Sequence, residues 1–242
     1  PTNKDFNAVH FATEKVGWIV GRNSTLFKTT DGGDSWAKVP ILGTREYTGV
    51  FFLDESTGWI VGAAKLILKT GDGGKSWTKQ FEVTGDEFHS VHFIDAMRGW
   101  AVGPAGAYFT SDGGSNWAGE GPLKSYQAVH FSGSKAGWVV GTGGTIRHTS
   151  TAENKVSNWG LQASNTSKEL TSVHFASDSI GWAVGDSGII VHTSNGGLTW
   201  SLQSSSSSDD FLSVHFADET HGWLVGRDGT ILRTTNGGAA LE

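Results

Sequence analysis

Short segments in which apolar and polar side chains alternate recur along the whole chain, separated by runs of Gly, Ser, Asp and Asn. Alternation of period two marks a half-buried strand, and such polar, glycine-containing clusters mark tight antiparallel turns. No window carries the amphipathic helix of roughly 10–15 residues that a parallel βαβ fold requires. The strands come in a fixed order. Val-His-Phe stands at Val9, Val91, Val129, Val173 and Val214, with Val50-Phe51-Phe52 as a variant, and nine residues beyond each valine is the tryptophan of a Gly-Trp pair. These tryptophans, Trp18, Trp59, Trp100, Trp138, Trp182 and Trp223, are 41, 41, 38, 44 and 41 residues apart. The fifth repeat reads as four strands, Leu170–Phe175, Gly181–Gly185, 188–193 and 199–203. Four short strands per 40-odd residues, six times over, predict an all-β, six-bladed β-propeller of four-stranded antiparallel blades.

Each repeat continues, 10 or 11 residues past its Gly-Trp, with a threonine (Thr29, Thr70, Thr110, Thr149, Thr193 or Thr234) that opens a turn. In five repeats that turn ends on a second tryptophan: Trp36, Trp77, Trp117, Trp159 or Trp200. All 11 tryptophans therefore occupy two structural slots. The turn resembles the Asp-box of the bacterial-neuraminidase-repeat families, with Asp31, Asp72 and Asp112 at its acidic position. Asn195 and Asn236 replace the acid in the last two copies, which suits a side chain whose role is to bond neighbouring backbone N–H groups. The fourth copy, Thr149 to Trp159, is longer and lacks Gly-Gly.

Composition narrows the functional classes. There are 35 glycines and no cysteine in 242 residues, which excludes disulfides, thiolate nucleophiles and cysteine zinc sites. A net charge of -6, from 18 basic and 24 acidic residues spread along the chain, argues against nucleic acid as a partner. No apolar run approaches the roughly 18 residues of a membrane-spanning helix. The start at Pro1 reads as a processed or trimmed chain, and residues 239–242 read as an expression-tag scar after a single propeller domain over residues 1–238.

Taken together, Gly-Trp-x-Val-Gly, an Ile-Leu-x-Thr type strand and the Asp-box resemble the photosystem II assembly and stability factor family of propellers, over nearly the whole chain from Phe6 to Gly238. Its photosynthetic members are similar to seven-bladed rings, whereas six repeats are countable here. The resemblance implies a non-catalytic scaffold, without cofactor, that binds a protein or extended peptide on one face, partly through arginines, in an extracytoplasmic compartment such as periplasm or thylakoid lumen.

Against that implication, Arg22 and Arg227 follow the Val-Gly of the second strand in the first and sixth repeats, where the others carry Ala63, Pro104, Thr142 and Asp186. Closure of a six-blade ring would make these two loops neighbours, so Arg22 and Arg227 are the candidate partner-binding residues, with Arg233 and Lys28 as supporters.

Other chemistry finds less support. The histidines of the Val-His-Phe strands (His10, His92, His130, His174 and His215) recur with the repeat and are read as hydrogen-bonded structural groups between blades rather than metal ligands. A sialidase or other glycoside hydrolase would need an arginine cluster with a tyrosine nucleophile, or two facing carboxylates. Asp54, Asp95, Asp178 and Asp218 are instead read as recurring turn formers between the first and second strands. No Gly-x-Ser-x-Gly elbow or phosphate-binding loop is present. A carbohydrate-binding, lectin-like propeller is the main alternative, with glycan the alternative partner. The sixth repeat stops before its fourth strand, so its outer edge is expected to be unpaired. A monomer or an edge-mediated dimer follows from that.

Overall fold

The computed structural model describes residues 5–41, 44–120 and 124–241. Residues 1–4 of the expected domain and Glu242 of the expected scar lie outside them. The fold is a six-bladed β-propeller, five blades having four antiparallel strands and the last three. The chain divides into two compact units, Pro1–Pro122 with blades one to three and Leu123–Glu242 with blades four to six.

In the first unit, blade one is β1 (Phe6–Phe11), β2 (Gly17–Gly21), β3 (Thr25–Thr29) and β4 (Ala37–Lys38). Blade two is β5 (Tyr47–Phe52), β6 (Gly58–Gly62), β7 (Leu66–Thr70) and β8 (Thr78–Phe81). Blade three is β9 (Ser90–Phe93), β10 (Gly99–Gly103), β11 (Gly106–Thr110) and β12 (Ala118–Gly119). In the second unit, blade four is β13 (Tyr126–Phe131), β14 (Gly137–Gly141), β15 (Thr145–Thr149) and β16 (Gly160–Gln162). Blade five is β17 (Leu170–Phe175), β18 (Gly181–Gly185), β19 (Ile190–Thr193) and β20 (Ser201–Gln203), and blade six is β21 (Phe211–Phe216), β22 (Gly222–Gly226) and β23 (Ile231–Thr234).

The third strand of blade five begins two residues later than the alternation predicts. Residues 186–188 form a 3-10 turn in which Ser187 takes φ 56°, so extended pairing resumes only at Ile190. Its fourth strand starts at Ser201, because Thr199 still belongs to the box turn and donates its N–H to Asn195 Oδ1 at 2.9 Å.

The Gly-Trp glycine is required by close approach. A Cβ on Gly17 would lie 2.7 Å from the Phe11 ring, and the same collision awaits at Gly58, Gly99, Gly137, Gly181 and Gly222. The glycine at the far end of the strand meets backbone instead: a side chain on Gly62 would run into the Glu46 carbonyl oxygen.

The Asp-box is a side-chain-built hairpin. Thr70 Oγ1 donates to Asp72 Oδ1 at 2.8 Å and accepts the Gly74 N–H at 2.9 Å, while Asp72 Oδ1 accepts the Ser76 N–H at 2.9 Å. Hydroxyl and amide donors hold the Asp31, Asp72 and Asp112 carboxyls below the usual carboxylate range. Asn195 makes the same bonds to Thr193 and Thr199, and Asn236 to Thr234 and Ala240, so the turn needs the oxygen and not the charge. Leu241 stands in the twelfth tryptophan slot and packs on the blade-six core, so residues 239–241, expected as a scar, complete this box. In the longer fourth copy a 3-10 turn at Val156–Asn158 takes up the extra residues, and Trp159 Nε1 donates to the Glu153 carbonyl at 2.7 Å.

The core lies between blades. Trp18, Val20 and Leu26 on the trailing face of blade one meet Tyr47, Val50 and Phe52 on the leading face of blade two. The set recurs as Trp59, Val61 and Ile67 against Phe88, Val91 and Phe93, and in the second unit as Trp182, Val184 and Ile190 against Phe211, Val214 and Phe216. At each of these interfaces the tryptophan stacks on the phenylalanine, with centroids 3.4–3.5 Å apart and planes within 7° of parallel. Burial of rings at this density dominates the energetics of such a repeat.

Candidate functional site

Each blade sheet has two ends, one carrying the Asp-box and the β1–β2 type turn, the other the β2–β3 type turn. Arg22 opens the β2–β3 turn. Its N–H donates to the Asp5 carbonyl at 3.1 Å, its Nε lies 3.0 Å from Glu46 Oε1, and its Nη1 lies 3.4 Å from Asp5 Oδ2. Arg227 holds the same place in blade six, its N–H on the Asp210 carbonyl at 2.9 Å and its Nε 3.2 Å from Asp210 Oδ2. Both guanidinium groups are exposed. Such exposed pairs contribute only about 0–1 kcal/mol each, so an incoming carboxylate can exchange with them.

Lys28 and Arg233 lie at the opposite, box ends of their blades. Lys28 pairs across the hairpin with Trp18 and Arg233 with Trp223, four residues along the strand from Arg22 and Arg227, or about 13 Å. Lys28 is also engaged locally. Its Nζ lies 4.8 Å over the Trp18 ring and donates to the Gly73 carbonyl of blade two at 3.0 Å, and burial lowers its pKa. Trp18 Nε1 donates to that same carbonyl at 3.3 Å. Lys69 repeats the arrangement over Trp59, donating to the Gly113 carbonyl at 2.9 Å. Arg233 sits 5.9 Å from the Trp223 ring centre and is exposed.

The turn end of the first unit carries charges of alternating sign that sequence reading did not single out. Arg45 pairs with Glu82 at 2.6 Å and His89 with Glu87 at 3.2 Å. A cleft of about 470 Å³ opens beside them, lined by Lys65, Asp86, Pro104, Tyr108 and Glu120. Lys65 Nζ reaches the Tyr108 hydroxyl at 3.3 Å. Ala64 and Lys65 in this turn both take positive φ, 58° and 49°, and no spacing in the sequence signals that.

The histidines pack blade on blade. His10 packs against Phe51 and Phe51 against His92 as tilted rings 4.8 and 4.5 Å apart, and His130, His174 and His215 follow at 4.7 and 4.4 Å. His10 Nδ1 accepts the Phe52 N–H at 3.2 Å, and His174 Nδ1 the Phe216 N–H at 3.3 Å, which fixes neutral rings. Among the described residues no group of three or more His, Asp or Glu is arranged to hold a metal. Three of the repeated aspartates cap turns: Asp54, Asp95 and Asp218 each accept two backbone N–H groups at 2.7–2.8 Å, whereas Asp178, expected to do the same, stands one residue further along and accepts the Ser132 hydroxyl of blade four, Ser177 Oγ accepting the Ile180 N–H in its place.

A sequence model described as "Photosynthesis system II assembly factor YCF48" matches residues 1–81, 37–120 and 120–207. The chain is 46% identical over 39 residues to the photosystem II stability/assembly factor HCF136, chloroplastic, of Oryza sativa subsp. japonica, a match spanning 16% of this chain and only 9% of that protein. Among solved structures it is similar to "YCF48 bound to D1 peptide", at TM-score 0.78 and 26% identity over 100% of this chain and 82% of that one. It shares its fold with a GH74 enzyme of Niastella koreensis at TM-score 0.79, with 14% identity over 98% of this chain and 46% of that one.

Proposed function

The chain belongs to the photosystem II assembly factor YCF48 family, and from that premise we propose that it is a non-catalytic scaffold that captures an extended peptide or protein segment on the turn ends of its blades. The observation that carries this reading is the likeness, over the full length of the chain, to a relative described as bound to a D1 peptide. The geometry supports it. Arg22 and Arg227 offer exposed guanidinium groups held only by surface carboxylates, at the same place in blades one and six. Of the repeated acids, Asp54, Asp95 and Asp218 are engaged in turns and Asp178 accepts the Ser132 hydroxyl. Kinship with the chloroplastic relative supports an extracytoplasmic compartment.

The test is fluorescence anisotropy with a labelled D1 peptide, the kind of ligand described for the relative, on the wild-type chain and on Arg22→Glu/Arg227→Glu. Binding that weakens about tenfold or more in the double variant, and that weakens with added salt, supports the assignment. No binding by the wild type would overturn the peptide reading, and unchanged binding by the variant would overturn the role of the two arginines.

A further inference from the structure

One turn keeps a lysine where the repeat favours glycine. Three residues past the Val-Gly that ends the second strand, blades three to six carry Gly106, Gly144, Gly188 and Gly229, all at positive φ. In blade two that place is taken by Lys65, at φ 49° directly after Ala64 at 58°. A side chain with a Cβ is strained in this region, where glycine is not, and residues held there against their preference cluster at binding sites.

Lys65 lines the cleft of about 470 Å³ at the turn ends of blades two and three, both within the first unit. Its Nζ lies 3.3 Å from the Tyr108 hydroxyl and 5.4 Å from that ring's centre, and it makes no ion pair among the described residues, although Asp86 and Glu120 line the same cleft. An ammonium can only donate, so the Tyr108 oxygen accepts and its own O–H is left to donate. The remaining Lys65 N–H groups and the Tyr108 O–H are thus donors for one incoming acceptor. Beside them, the Asp86 carbonyl accepts the Lys65 backbone N–H at 3.1 Å, while the Asp86 carboxylate is exposed and has no partner among the described residues.

Charge and shape select the ligand. One lysine and two carboxylates line the cleft, so an anion entering alone would meet an excess of its own sign and has to bring a cation with it. A stacked sugar fits poorly, because Lys65 lies over the Tyr108 ring and Phe81 and Phe88 pack against it at 5.4 and 5.1 Å. In an extended peptide successive side chains point to opposite sides, so two that enter one cleft together stand two positions apart, roughly 6–7 Å along the strand. We infer that this cleft is a specificity subsite for the captured peptide and takes an acidic and a basic side chain spaced as Glu-x-Lys, the carboxylate on Lys65 Nζ and the Tyr108 O–H, the cation on the Asp86 carboxylate. The inference rests on the peptide-scaffold reading above and adds what the peptide must carry.

Nuclear magnetic resonance titration of the whole chain with the capped pentapeptide acetyl-Gly-Glu-Ala-Lys-Gly-amide tests this. Saturable shifts at Lys65 and Tyr108 are expected, with a Kd on the order of 1 mM. Replacing the peptide's Glu or Lys by Gln, or making the two charges adjacent, is expected to weaken binding about fivefold or more. Lys65→Gly installs the residue of blades three to six and so keeps the turn, yet should lose the preference for Glu over Gln; Asp86→Asn should lose the preference for Lys. No shifts at the cleft up to about 20 mM peptide, equal affinity for the charged and neutral peptides, or a Lys65→Gly chain that binds as the wild type does would each overturn the assignment. A chain that binds the D1 peptide but not the pentapeptide loses the subsite and keeps the scaffold reading, whereas one that binds neither loses both.

Discussion

Trp18 and Phe52 lie ring on ring, centroids 3.4 Å apart and planes 3° from parallel, though they belong to different blades. Each is fully buried only because the other blade is present, so the pair fastens two sheets that share no backbone ladder. The equivalent pair of blades two and three, Trp59 and Phe93, is the place to measure that linkage. Trp59→Ala is expected to cost about 3–5 kcal/mol in urea unfolding, since a ring is removed from a packed core.

In the box turn, Asp72→Asn is expected to leave the thermal midpoint within a degree or so of wild type, because Asn195 makes the same bonds in blade five. Asp72→Ala removes the acceptor for Ser76 N–H and the partner of Thr70, and should lower the midpoint by several degrees. A scanning calorimeter separates the two.

Much of this was legible in advance. Six copies of one pattern fixed the blades and their turns, because strand alternation and box residues act within about ten neighbours. What was not legible depends on the next blade. Lys28 reads as a supporter of the arginine patch, yet it is held by the Gly73 carbonyl 45 residues on. Leu241 reads as tag sequence, and only packing shows it in a tryptophan slot. Arg22 and Arg227 occupy the turn ends that their spacing placed them on, but their carboxylate partners, Glu46 and Asp210, carry no motif.

Acid should loosen the second unit. Burial pulls the His130 pKa down to about 4 against an ordinary 6.5, with the Phe175 carbonyl opposing and His215 reinforcing the shift, and burial also lowers His215. The neutral rings therefore stabilise fully above the ordinary value, and that contribution is lost as pH falls from there through about 4. On the order of 2–3 kcal/mol should disappear between pH 7 and pH 4 in unfolding titrations. His130→Phe, which copies Phe51 of blade two, should flatten the profile.

Glycine requirements differ along one repeat. Gly62→Ala drives a methyl into the Glu46 carbonyl and is expected to cost about 1–3 kcal/mol in urea titrations. Gly71→Ala meets nothing within 4 Å and should be near neutral, within about 0.5 kcal/mol.

The bond from Trp18 to the Gly73 carbonyl, matched by Trp182 to the Gly237 carbonyl, also sets a timetable for synthesis. Trp18 cannot find the Gly73 carbonyl until some 55 further residues have left the ribosome. At about 5–20 residues per second, the nascent blade shows its aromatic face for roughly 3–11 s. Each finished blade thus waits on its successor, and the growing chain displays one uncovered indole at a time from its newest blade. That moving patch is where a chaperone would have to act.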